Sequence, residues 1–188
     1  MRKGFTLIEM MIVVAIIAII AAIAIPSLLA ARRATLETNA VGSCRTYANA
    51  QVMYHKNDWP GSPTPGIMRY ASPFSKLNSQ LDNTGAKIQL VDGAFAAASV
   101  STAPKHGYWF KDLATFSNAQ AIDFINEFGM SAAPATYART GYRTFIVSTN
   151  GTVFGQDIVG QTAGGVGTQA PSYPIDPSVA VPAWIVAE

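Results

Sequence analysis

From Phe5 to Ile25 the chain runs 21 residues with one charge, Glu9. As a helix this run would be about 31 Å long, close to the thickness of a bilayer core. It reads as a membrane span, too long and too uniformly apolar for the core helix of a small domain. Glu9 is the anomaly, because a charge in lipid is costly and marks a function that needs a partner. Two general readings compete. In a secretory signal peptide, Arg2 and Lys3 would form the basic region and Ala22-Ile23-Ala24 a small-x-small cleavage site. Signal peptides, however, carry an apolar stretch of only ~7–15 residues. A plain single-span anchor explains the hydrophobicity but leaves Glu9 without a reason. Physics alone favours the anchor.

The residues around the acid narrow the choice. Gly4-Phe5-Thr6-Leu7-Ile8-Glu9 follows a short basic leader and precedes an apolar run that closes with Ile25-Pro26. This arrangement resembles the prepilin signature of type IV pilins and type II secretion pseudopilins, over about residues 2–33. The resemblance implies an α+β fold, with one long N-terminal helix packed against a small antiparallel β-sheet head. It implies cleavage by a prepilin peptidase after Gly4, methylation of the new N-terminus at Phe5, and assembly roles for Thr6, Glu9 and Pro26. Glu9 would pair with the Phe5 ammonium of a neighbouring subunit, since a buried charge is tolerated when paired. The chain would then sit in the inner membrane as a single-pass precursor, with the bilayer and the assembly machinery as its partners. It would later self-associate into an extracytoplasmic helical filament. A membrane-anchored or secreted binding protein is the alternative.

Four parts follow: a leader at 1–4, a transmembrane or fibre-core helix at 5–25, an amphipathic continuation at 26–56, and a head at 57–188. Loss of Arg2 and Lys3 would bring the 13 basic residues to parity with the 11 acidic ones. A neutral mature chain gives no general argument for nucleic-acid binding, which rests on basic patches. Many pilins close a C-terminal loop with a disulfide. The single cysteine, Cys44, excludes an intrachain bridge here, so the head must hold by packing. Cys44 reads as a small apolar face residue, with an intermolecular bridge left open. Arg2 and Lys3 against Arg32 and Arg33 orient the span only weakly.

Beyond Pro26, which would kink or loosen the helix, helical spacing resumes. Leu29, Leu36, Ala40, Cys44, Tyr47, Gln51 and Tyr54 form one stripe, with Arg33, Glu37, Arg45 and Asn49 among the polar positions. Asn57-Asp58-Trp59-Pro60-Gly61 stops the helix near Lys56, and residues 61–66 form a loop. Ser72-Pro73 starts a short helix with Phe74, Leu77 and Leu81 on one face. Lys87–Val91 alternates as a strand ended by Asp92-Gly93, and Gly107–Leu113 is a second strand. Ala119–Phe128 is a short helix with Ile122, Ile125 and Phe128 inward. Tyr142–Ser148 and Thr152–Ile158 flank Asn150-Gly151, the strongest hairpin signal in the head. Asn150-Gly151-Thr152 also spells a glycosylation acceptor, although turn chemistry already accounts for it. The apolar residues of Pro182–Val186 cover the head or a neighbouring subunit.

No enzyme or cofactor constellation emerges. His55 and His106 stand apart, there is no Walker lysine after Gly61–Gly66, and no Gly-x-Ser-x-Gly or His-Glu-x-x-His motif. Gly165-Val166-Gly167 begins a dinucleotide fingerprint, but proline follows where its helix should start. Asp157 and Asp176 could join a calcium site, yet two isolated aspartates more often serve turns and caps. With no nucleotide-binding motif, the energy to extract the subunit would come from an assembly ATPase.

Overall fold

The computed structural model describes residues 4–57, 67–81, 84–158, 160–174 and 183–187. Arg2, Lys3, Asp58 to Gly66, Asp176 and Pro182 lie outside the described residues, so the stop signal beyond Asn57, the 61–66 loop and the Asp176 ligand are not described.

A single helix, α1 (Leu7–Lys56), spans 50 residues, roughly 75 Å at helical rise. It passes through Pro26 without interruption, although proline cannot donate to the Ala22 carbonyl. It ends at Asn57, whose side-chain amide donates to the Met53 carbonyl at 2.8 Å. The stripe is buried from Ala40 through Cys44 and Tyr47 to Gln51, with Leu36 and Tyr54 packed at its margins.

The head is an antiparallel meander in sequence order: β1 (Tyr108–Asp112), β2 (Gly129–Pro134), β3 (Thr144–Ser148), β4 (Val153–Gln156) and β5 (Ile185–Val186). One face packs on the second half of α1, where Phe110, Met130, Ala132, Phe145, Val147 and Val153 join Cys44 and Tyr47 in the main core. The other face carries Ile146 against Leu113, Ile122, Ala170, Tyr173 and Trp184. β3 therefore alternates between two cores, as its pleat requires. β2 is covered on both faces, and Ser131 Oγ accepts the Ala170 N–H at 2.9 Å from the covering loop.

The Asn-Gly hairpin forms as β3 and β4. Gly151 takes φ 73°, a conformation glycine adopts at little cost, and Asn150 Oδ1 accepts the Thr152 N–H at 3.1 Å. Gly107–Leu113 forms β1. Three local expectations are corrected. Lys87–Val91 is no ladder strand: Lys87 makes a single bridge to Leu81, and the Ile88 and Leu90 N–H groups go to Gln80 and Leu77 carbonyls. It pairs with a short helix, α2 (Lys76–Ser79), instead of with the sheet. α2 starts later than Ser72-Pro73 suggested, after turns in which Lys76 and Leu77 donate to Pro73 and Phe74. Leu77 in α2 and Phe74 before it are buried, but Leu81 after it is 52% exposed. Residues 119–128 form turns and not a helix. Ala119 has φ 64°, and the Asp123 carboxylate accepts the Ile125 N–H at 3.0 Å, a local bond that competes with helix formation. Ile122 and Phe128 still face inward. A further short helix, α3 (Gly93–Ala97), is capped by Asp92, whose Oδ1 accepts the Phe95 N–H at 2.8 Å.

Candidate functional site

The start of α1 is built around Thr6 and Glu9. Thr6 is the N-cap, and its Oγ1 accepts the Glu9 N–H at 3.3 Å. In return Glu9 Oε2 accepts the Thr6 N–H at 3.0 Å and the Thr6 hydroxyl at 2.9 Å. This reciprocal capping box satisfies donors that a helix N-terminus leaves open. It also fixes the one acid of the apolar segment at the start of the helix, bonded to the residue after Phe5. The Thr-x-x-Glu spacing was a readable signal for it. Gly4 has open space around its Cα, and Phe5 is 83% exposed.

From Phe5 to Leu29 every large apolar side chain is exposed, Val13 least at 48%. The described residues of the head bury none of these side chains. A helix apolar all round belongs inside an apolar surrounding, and this one is long and apolar enough to cross a membrane. Pro26 lies near the end of the uncovered length.

Above it, polar groups fix the helix to the head. Arg33 Nη1 donates to the Ala138 carbonyl at 3.2 Å and also contacts the Tyr142 hydroxyl. Glu37, expected only as a polar helix position, is 8% exposed. Its carboxylate accepts the Tyr142 N–H at 2.9 Å and the Arg143 Nε–H at 2.8 Å. Gly141 makes room for this junction, since a Cβ there would lie 2.0 Å from the Tyr108 hydroxyl. Arg45 Nη2 donates to the Ala187 carbonyl at 3.1 Å, tying the C-terminal segment to the helix. Deeper in, Gln51 donates to Tyr47 Oη and the Ala71 carbonyl and accepts the Ala71 N–H. Tyr47 in turn faces Asp112, which accepts the Phe74 N–H at 2.8 Å. Burial pushes the Asp112 carboxyl up to about 7, against the opposing pull of these hydrogen bonds.

The other sequence candidates find structural places. Cys44 is fully buried and burial pushes its thiol up to about 12, so it stays a protonated core residue, out of reach of a bridge to another chain. His55 stacks on Tyr70 and meets the Ile125 carbonyl at 3.0 Å, while His106 is exposed at φ 50°. Asp157 accepts the Tyr137 hydroxyl at 2.9 Å. Among the described residues no cluster of His, Cys, Asp or Glu could hold a metal.

Residues 1–25 match the family model described as a prokaryotic N-terminal methylation motif. Two fimbrial proteins of Pseudomonas aeruginosa are 40% identical over 95 residues, 48% of this chain and 60% of theirs. A type IV wide pilus major component, PilA4 of Thermus thermophilus, is 52% identical over 52 residues, 28% of this chain and 40% of its own length. Over these segments the chain is similar to type IV pilins. Residues 27–178, most of the chain, match a second family model, described as a protein of unknown function (DUF2950), and the head belongs to that family. The chain spans less than two thirds of the curated relatives it matches. No solved structure matches it significantly. The two family matches meet at Pro26, so the uncovered helix and the head it serves are also distinct by likeness.

Sequence reasoning missed Arg33, Glu37 and Arg143 as a junction. A charge at a polar helix position gives no sign that its partner stands 106 residues away.

Proposed function

We propose that this chain is a subunit of a type IV pilus-like filament, stored in the inner membrane and matured by a prepilin peptidase. The observation that carries the reading is the uncovered apolar length from Phe5 to Leu29, with its single acid fixed beside Phe5. Cleavage after Gly4 would place a new, methylated ammonium at Phe5, one residue from the Thr6 N–H that Glu9 already accepts. The carboxylate would then exchange its intrachain donors for the amine of a neighbouring subunit, a charge-assisted bond favoured in low dielectric. Each span would leave lipid for the spans of other copies, an exchange of one apolar surrounding for another. Pro26 would let the helix adjust between the two, and the head would form the outer surface. The names of the relatives favour a pilus over a secretion pseudopilus. The chain would act mechanically, without catalysis or cofactor.

Mass spectrometry of the mature N-terminus tests this. A methylated Phe5 is expected. An intact Met1, or an N-terminus near Ile25, would support the anchored or secreted binding protein instead.

A further inference from the structure

A cleft of about 310 Å³ opens at the base of the head, between residues 29–36 of α1 and the 138–140 turn. Its charge comes from Arg32, Arg33 and Arg139. Arg33 is held in place by the Leu29 and Ala138 carbonyls and lies over the Tyr142 ring, 4.9 Å from its centroid. Arg32 and Arg139 are exposed, and among the described residues they make neither ion pair nor side-chain hydrogen bond. The carboxylate one turn above Arg33, Glu37, is already occupied by Arg143 and two backbone N–H groups. Among the described residues the cleft is therefore cationic, with no acid in its lining to neutralise it.

Its height along the helix is informative. A bilayer of ~40–45 Å, including headgroups, adds about 5–7 Å to each side of the hydrocarbon core. With Phe5–Ile25 in that core, Leu29 stands about 6 Å beyond it and Arg32 about 10 Å. Arginine side chains are long enough to reach back into the headgroup layer. Leu29, 51% exposed, forms the wall of the cleft nearest the membrane. A phosphate attached to acyl chains suits an apolar wall below and guanidinium groups above, whereas a free anion gains nothing from leucine.

We propose that this cleft binds the phosphate of an anionic phospholipid headgroup while the subunit waits in the membrane. The site rests on the membrane-precursor reading above and adds a lipid ligand to it. Arg32 and Arg139 supply the open charge, and Arg33 positions the turn that carries Arg139. On leaving the membrane the subunit would give up this lipid.

The test uses the full chain in nanodiscs containing equal phosphatidylglycerol and phosphatidylcholine, with retained lipid read by native mass spectrometry. Preferential retention of phosphatidylglycerol is expected. Arg32→Gln and Arg139→Gln should each lower that preference about fivefold, while Lys56→Gln with Lys111→Gln, both outside the cleft lining, should leave it unchanged. Equal retention of the two lipids by the parent chain would overturn the proposal. So would an equal loss in the distal variant, or full displacement of the lipid by inorganic phosphate. Extraction of the parent chain by alkaline carbonate would remove the membrane reading itself, whereas firm insertion without preference removes only the headgroup site.

Discussion

The first half of α1 keeps every large apolar side chain exposed, from 48% at Val13 to 83% at Phe5, while the second half buries Cys44, Tyr47 and Gln51 completely. Both halves belong to one uninterrupted helix, so backbone geometry does not separate them. Side-chain pattern does. The first half is apolar on every face and is buried by no partner among the described residues. The second is apolar along one stripe and gives it to the sheet, with Arg33, Glu37 and Arg45 bonding to the head from its sides and Gln51 from within it. On the proposed reading the first half would change neighbours, from lipid to other copies, without refolding. The second must not let go, because the head follows the helix wherever the first half is placed.

Substitutions can separate these roles. The largest effect is expected at Glu9, in the half without internal partners. Glu9→Ala should be processed normally yet lose assembled filaments at least tenfold in a sheared-filament assay. Normal filament yield would show that the two halves do not divide assembly and anchorage in this way. Glu37→Ala should likewise leave processing intact, but its effect falls on the head, destabilising it by about 2–3 kcal/mol in denaturant unfolding of detergent-solubilised protein. It strands the Arg143 guanidinium and two backbone donors, and the half-exposed arginine keeps the loss below that of a fully buried pair. Gly141→Ala should cost about 2 kcal/mol or more by the same measurement, because its Cβ collides with the Tyr108 hydroxyl.

A pH scan sharpens the picture of the second half. Burial holds the Asp112 carboxyl up to about 7, whereas an unfolded aspartate titrates near ~3.9. Between those values the folded chain binds the extra proton. This contribution to stability is therefore full below pH ~4 and is lost as pH rises towards 7. Asp112→Asn should flatten that slope and leave the variant at least ~1 kcal/mol more stable than the parent above neutrality. A variant with the parent's slope would assign the titration elsewhere. The smallest effect is expected at Gly42, an exposed helical position with nothing within 4 Å of a Cβ. Gly42→Ala should stabilise the head-bearing half by up to ~1 kcal/mol and leave assembly unchanged.

What could be read in the chain was whatever depends on near neighbours. The apolar length, the acid at Glu9, the stripe from Leu36 to Gln51 and the Asn150-Gly151 hairpin each state their physics within a few residues. So does the Thr6–Glu9 capping box, although the i, i+3 pair sits inside a motif that hides its capping role. β2 was not legible: Gly129-Met-Ser-Ala-Ala-Pro134 is small, lacks alternation and is buried on both faces, so it carries neither strand propensity nor a period. At 119–128 the spacing of Ile122, Ile125 and Phe128 suited a helix, but the Asp123 side chain took the Ile125 N–H first.

The sequence by itself determined that about half of one long helix suits an apolar surrounding on every side, since its sixteen large apolar residues are distributed round every face. Only the tertiary structure decided how the other half is held. Glu37 meets Arg143, Arg33 meets the Ala138 carbonyl, and the Ile185–Val186 strand closes beside β4. Each of these contacts joins residues far apart in the chain, and none exists until the sheet has brought them to the helix.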